Sequence, residues 1–302
     1  MKLVQTISLA CCIFLLYSFK PTPNVTQNTL DKALNTNNSL LWQISGNGLT
    51  KPSYIYGTIH IISNDDYFLG KNVEKKLKKS DALVMEIDLD KMDVTALAAL
   101  SVLDSGKTIR NYMNDTDYFK LQTFMTDTIG IKKYTFEKFY AKLKPLYLEQ
   151  LIFFRYAGQE KESYEVNFKK IADQKNIPTI GLETFEEQLK FMDEIPLDIQ
   201  LKSIVKTTNN YANEIKNMDT LILDYKAQNL TALTKQFEED ENTLAKEHLL
   251  DKRNNNWISK LRSLITTKSC FIAVGAGHLG GQKGLIELLK KEGYTVVPIS
   301  IN

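Results

Sequence analysis

Apolar positions along the chain fall into short runs and helically spaced runs, and the two kinds alternate. "LLWQIS" at 40–45 and "YIYGTIHII" at 54–62 are rich in β-branched and aromatic residues. The turn-bearing "GNGLTKP" lies between them, so the pair reads as two strands of a hairpin. "NVEKKLKKS" spaces its apolar residues as a short amphipathic helix, and "DALVMEIDL" after it is an apolar run suited to a buried strand. Helix then strand returns in "SYEVNFKKIADQKN" and "IPTIGLE". At the end come the strand of "SCFIAVGAGHL", the helix "GLIELLKKEG" and the strand "YTVVPIS". This alternation predicts an α/β fold with a largely parallel central sheet.

Two stretches interrupt the sheet with helical patterns. Residues from about 93 to 160 carry several amphipathic segments anchored by Phe119, Phe124, Phe139 and Tyr147. Residues from about 184 to 266 are rich in lysine and glutamate and almost free of glycine, which favours several helices. "TFEE" has the form of a capping box, with Thr184 as N-cap and Glu187 three residues on. Residues 40–302 thus read as one α/β domain with two helical insertions.

Composition changes this picture little. At 302 residues, 43% hydrophobic and 25% charged, the chain is ordinary globular material, long enough for a large core. Its 38 basic and 36 acidic residues leave a net charge of +2, which gives no reason to expect nucleic acid as a partner. The first residues matter more. Met1-Lys2 precedes the apolar "LVQTISLACCIFLLYSF", and the polar "KPTPNVTQNTLDKALNTNN" with its two prolines follows. Residues 1–27 are therefore assigned to a secretory leader or an uncleaved N-terminal anchor plus the start of a tether. The expected location is exported: periplasmic, secreted, or held at a membrane by that segment alone. Beyond the leader only Cys270 remains, so the domain has no internal disulfide and must rest on its packed core.

Candidate chemistry begins with the three histidines, His60, His248 and His278. Two of them stand in one frame, G-x-x-H, each after an apolar β-branched run. His60, Glu86, Glu183 and His278 all fall at or just beyond the carboxyl end of a predicted strand, the edge where ligand crevices form in open α/β sheets. Two imidazoles and carboxylates from four distant segments make a plausible divalent-metal set. "GAGHLGG" could also present backbone N–H groups to an anion. A single histidine after a strand reads as a structural residue, whereas two in one frame favour function. Glu86 lies inside an apolar run, where an unpaired carboxylate is costly to bury. Glu165 and Arg253 fall on predicted helices, where the simplest expectation is a solvent-facing charge, and His248 reads as a surface or partly packed helical residue. No serine-nucleophile elbow, H-E-x-x-H, P-loop or dinucleotide fingerprint is present.

These motifs resemble the TraB/GumN (TraB/PrgY/GumN) family, which includes Tiki-type proteases. The resemblance runs in order through "LLWQISGNGLTKPSYIYGTIHII", "SDALVMEIDL", "SYEVNFKKIADQKNIPTIGLETFEEQL", "RNNNWISKL" and "FIAVGAGHLGGQKGLIELLKKEGYTVVPI". It implies an α/β core with helical insertions, of erythromycin-esterase-like or ChaN-like architecture. It also implies a divalent-metal-dependent hydrolase, in the Tiki type a peptidase using manganese or cobalt, with zinc as an alternative. Carried over, His60 and His278 match the motif histidines, and Glu86 and Glu183 match the acidic positions. Arg253 matches the arginine–tryptophan segment, and Glu165 lies in the segment before "GLET". One of Glu86 and Glu183 would complete the metal site, the other would act as general base, and Arg253 would stabilise developing negative charge, with a peptide or protein as substrate. The rival expectation is a non-catalytic protein holding haem, iron or a peptide in the same cleft.

Overall fold

The computed structural model describes residues 38–104, 106–238 and 243–302. The leader or anchor assigned to residues 1–27 lies outside the described residues. Among those described, no helix is long and apolar enough to cross a membrane.

The hairpin forms as expected, with β1 (Leu41–Ser45) antiparallel to β2 (Ser53–Thr58). The other strands are β3 (Ile61–Ser63), β4 (Ala82–Met85), β5 (Lys161–Ser163), β6 (Thr179–Gly181), β7 (Cys270–Gly275) and β8 (Thr295–Pro298). The main sheet has the order β6-β4-β7-β2-β1-β8. β6, β4, β7 and β2 run parallel, and β1 is antiparallel to both its neighbours. Helix α1 (Lys71–Lys79) precedes β4. The first insertion holds α2 (Val94–Leu100), α3 (Asp115–Thr123), α4 (Lys133–Lys138) and α5 (Pro145–Tyr156). Helix α6 (Tyr164–Gln174) then leads into β6. The second insertion holds α7 (Phe185–Asp193), α8 (Leu197–Asn209), α9 (Tyr211–Lys226), α10 (Leu230–Glu238), α11 (Thr243–Lys246) and α12 (Lys252–Thr267), and α13 (Leu285–Lys291) precedes β8. The capping box opens α7 as the sequence predicts: Glu187 N–H donates to Thr184 Oγ1 at 3.1 Å and Thr184 N–H to Glu187 Oε2 at 2.7 Å.

Strand alternation divides the core between two faces. Tyr56, Leu83, Met85 and Phe271 point to the face covered by α6 and the helical insertions. Ile55, Val84, Ile272 and Val274 point to the other, where α12 lays down Trp257, Leu261 and Ile265 at intervals of one helical turn. One detail departs from the sequence reading. The apolar run through "YGTIHII" is not one strand: β2 stops at Thr58, and His60 turns the chain with φ +25°. β3 then leaves the main sheet and pairs with β5, Ile61 opposite Ser163. That small second sheet fixes the start of α6, and with it Glu165, beside His60.

Candidate functional site

The register of the parallel strands places the two motifs side by side, with Thr58 of β2 opposite Gly275 of β7. His60 follows β2 by two residues, and His278 lies in a short 3₁₀ turn, Ala276–His278, after β7. The β4–β6 pairing continues past the strand ends, with Leu182 N–H donating to Met85 O at 2.8 Å and Glu183 N–H to Glu86 O at 2.9 Å. Both predicted carboxylates are thereby delivered to the same edge as the histidines.

Glu86 sits at the centre. Its Oε1 lies 3.7 Å from His60 Nε2 and 3.6 Å from His278 Nε2, and it accepts the Gly275 N–H at 2.8 Å. Its Oε2 accepts from Arg253 Nη2 at 2.5 Å. Arg253 is 1% exposed, contrary to the solvent-facing expectation for a helical arginine. Its place is set by the α12 stripe, one turn before Trp257, and by a π-helical turn at Glu247–Asp251 whose Leu249 carbonyl accepts its Nη1 at 2.9 Å. Glu183 holds the arginine from the other side, accepting Nε at 2.9 Å and Nη2 at 2.6 Å on Oε1, while Trp257 donates to Oε2 at 3.0 Å. Glu183 thus serves Arg253 and Trp257 and not an imidazole.

The histidines differ in their second contacts. His60 Nδ1–H donates to Glu165 Oε1 at 2.8 Å, and Thr58 Oγ1 donates to the same oxygen at 2.6 Å. Glu165 is buried, so the expectation of a solvated helical charge is overturned. His278 Nδ1–H donates to Asn254 Oδ1 at 2.7 Å. The Asn254 amide nitrogen donates to the carbonyls of His278 and Lys283, which fixes the side chain's orientation. Arg253 Nη1 donates to His278 Nε2 at 3.2 Å, and the Trp257 ring packs 4.5 Å from the imidazole. His248 lies elsewhere, packed in its helix and joined to Glu194 Oε2 at 2.8 Å.

Electrostatics follow from these partners. Burial pulls both imidazoles toward the neutral form. For His60 the charge and hydrogen bond of Glu165, with Glu86 behind them, outweigh that effect and raise its pKa above 6.5. For His278 burial wins over Glu86, Arg253 and His60 add to it, and the pKa falls to about 3. Burial alone would raise Glu86, but Arg253, the two histidines and the Gly275 N–H hold its carboxyl well below the usual range. Burial pushes Glu183 up despite Arg253.

The donor set partly fits a divalent ion. Two ligands about 2.1 Å from a tetrahedral ion stand about 3.4 Å apart, close to the spacing of each Nε2 from Glu86 Oε1. Gly275 keeps that space open, since a Cβ there would stand 2.9 Å from His60 Nε2 and 3.4 Å from Glu86 Oε1. No group of three His, Cys, Asp or Glu side chains among the described residues is already arranged around one ion. Arg253, on His278 Nε2, stands in the way of the third donor. Sequence reading missed Glu165, Asn254 and Gln188 as site residues. Glu165 and Gln188 were discoverable as polar residues on apolar helical stripes, with Phe168 and Ala172 for the first and Phe185 and Met192 for the second.

Fold and site together define an α/β protein with an arginine–carboxylate–histidine cluster buried at the carboxyl edge of its parallel strands. The chain belongs to the TraB/PrgY/gumN family, whose model matches residues 40–298. It is 26% identical over 249 residues to the uncharacterized protein YbaP of Shigella flexneri, covering 79% of this chain and 88% of the relative. It is 22% identical over 326 residues to Metalloprotease TIKI1 of Xenopus tropicalis, covering 89% of this chain and 63% of the relative. Metalloprotease TIKI1 of Danio rerio is 23% identical over 314 residues, with 86% and 63% covered. The chain thus spans less than two thirds of the length of these Tiki proteins. No solved structure matches it.

Proposed function

We propose that this chain is a hydrolase that cleaves peptide bonds with water activated at the His60–Glu86–His278 cluster. The observation that supports this reading is one ionised carboxylate facing two imidazoles beside a buried, doubly anchored guanidinium. The names of its Tiki relatives support the metal-dependent form. His60 and His278 through Nε2, with Glu86 Oε1, would hold a divalent ion, manganese or cobalt, once Arg253 yields His278 Nε2. The ion would supply a Lewis acid that acidifies water. Glu165 fixes the His60 tautomer by accepting its Nδ1–H, and as the cleft carboxylate outside the ligand set it takes up the proton. Glu183 and Trp257 keep Arg253 at the cluster, where its charge stabilises the oxyanion that develops on the carbonyl.

A second reading is favoured by the Arg253–His278 hydrogen bond. There His60, oriented by Glu165, takes the proton from water directly and needs no ion. Elemental analysis of the purified protein and a peptide-library cleavage assay, with manganese and with chelator, separate the two. The metal-dependent form expects cleavage that manganese restores after chelation. His60→Ala and His278→Ala should each abolish it, and the double variant should be no worse. Cleavage indifferent to chelator supports the second reading. Specific ligand retention without turnover under any condition would return the chain to the binding-protein alternative.

A further inference from the structure

Beside the cluster lies a cleft lined by His60, Met85, Glu86, Ile87, Leu89, Glu165 and Gln188, with a cavity of about 10 Å³. That is the room of one water-sized occupant. Gln188, 2% exposed, enters from α7 and donates its amide nitrogen to Glu183 Oε1 at 3.2 Å and Glu86 Oε2 at 3.5 Å. Carboxylates accept only, so the nitrogen must face them, and the orientation of this amide is fixed by chemistry. Its carbonyl oxygen, Oε1, is buried with no donor among the described residues. A buried acceptor left without a donor is costly, so a group at this position is expected to bring one.

We infer that Gln188 is a positioning residue that accepts a hydrogen bond from the hydrolytic water held in this cleft. The inference rests on the hydrolase reading in the form where Glu165 takes up the water's proton. The cavity admits one small occupant, and among its lining residues Gln188, Glu86 and Glu165 carry acceptor oxygens. A water there donates one hydrogen to Gln188 and the other to Glu165, which leaves an oxygen lone pair free for attack. Gln188 makes no bond in the reaction. It fixes the direction of attack, and its amide nitrogen, held by Glu86 and Glu183, keeps the carbonyl oxygen aimed.

The test joins a crystal structure to kinetics on the full chain. The wild-type map should show one peak within hydrogen-bond distance of Gln188 Oε1 and a cleft carboxylate. Gln188→Leu should lose that peak while the Arg253–Glu86 and His60–Glu165 pairs stay in place. On a cleaved peptide from the library it should lower kcat about tenfold with KM within about twofold, the size of one lost neutral hydrogen bond felt in the transition state. Gln188→Met, unbranched and of matching length, serves if the leucine variant does not fold. A wild-type map with no peak at Oε1, or a KM rise at constant kcat, overturns the inference, the second by making Gln188 a substrate contact. A peak at Oε1 in a protein that cleaves nothing keeps the water site but overturns its catalytic role, and with it the hydrolase reading.

Discussion

The two G-x-x-H corners share a frame and a carboxylate, yet they hold their imidazoles in opposite electrostatic states. His60 sits at positive φ against Glu165 and is pushed toward the charged form. His278 sits in a 3₁₀ turn against a neutral Asn254, under the Arg253 guanidinium, and is kept neutral. The repeated motif therefore sets where each ring stands, and the helix packed over it sets the ring's protonation. A site whose two imidazoles are pushed in opposite directions about a shared Glu86 can divide the tasks of holding and releasing a proton between them.

The largest way to break this asymmetry is to remove the charge that favours it. Arg253→Leu leaves Glu86 and Glu183 buried without their cation, and His278 without its donor. Such a loss should cost about 3–5 kcal/mol, read as a lower urea midpoint at unchanged m. A change below about 1 kcal/mol would mean that Arg253 does not anchor the cluster.

The pH dependence of the metal-free protein should show the two corners pulling in opposite directions. His278, with a folded pKa near 3 against 6.5 unfolded, contributes stability that is full above 6.5 and is lost as pH falls toward 3. Glu86, depressed below the usual 4.5, adds to the loss on the acid side. His60, raised above 6.5, contributes stability that is full below 6.5 and is lost as pH rises through its folded value. Exchanging partners should exchange these states. In an NMR titration Glu165→Gln should lower the His60 pKa, and Asn254→Asp should raise that of His278. If neither moves, the helical partners do not govern the rings.

Much of this comparison was legible in the sequence, and the rest was hidden for a physical reason. The strand ends, the glycine frame and Glu86 in its apolar run follow from local pattern, because strand alternation and turn chemistry are local. Arg253, Glu165, Gln188 and Asn254 lie on helices, where burial depends on which face meets the sheet. The stripe Arg253, Trp257, Leu261, Ile265 carries that information, but a charge on such a stripe reads as solvated until its partners from other segments are seen. The break of β2 at His60 was hidden for a similar reason. The apolar run continues unbroken through it, and only the pairing of Ile61 with Ser163 shows that the chain has changed sheets.

The motif glycines offer a smaller test, and they should differ as the histidines do. A Cβ on Gly57 would meet Leu279 Cδ1 at 2.4 Å and the Ala276 backbone at 3.1 Å, inside the packed core. Gly57→Ala should therefore cost about 1–3 kcal/mol by overpacking. The Cβ of Gly275→Ala would instead press on His60 Nε2 and Glu86 Oε1, so its cost in stability should be smaller and its cost in divalent-ion affinity, by calorimetry, larger. Equal effects on both measures would show that the two glycines serve one structural role.

The smallest expected effect belongs to the histidine outside the frame. His248 lies in the π-helical turn that leads to Arg253, and its Nδ1 meets Glu194, whose side chain is 38% exposed. A side-chain contact with one partner so open to solvent is worth about 1 kcal/mol or less. His248→Ala should lower stability by about that much and leave cleavage unchanged, because the Arg253 contact to this turn runs through the Leu249 carbonyl, a backbone group the substitution keeps. If it instead abolished cleavage as His60→Ala should, the turn would be coupling side-chain packing to the guanidinium. The difference between the histidines would then lie in their distance from Arg253 and not in the G-x-x-H frame.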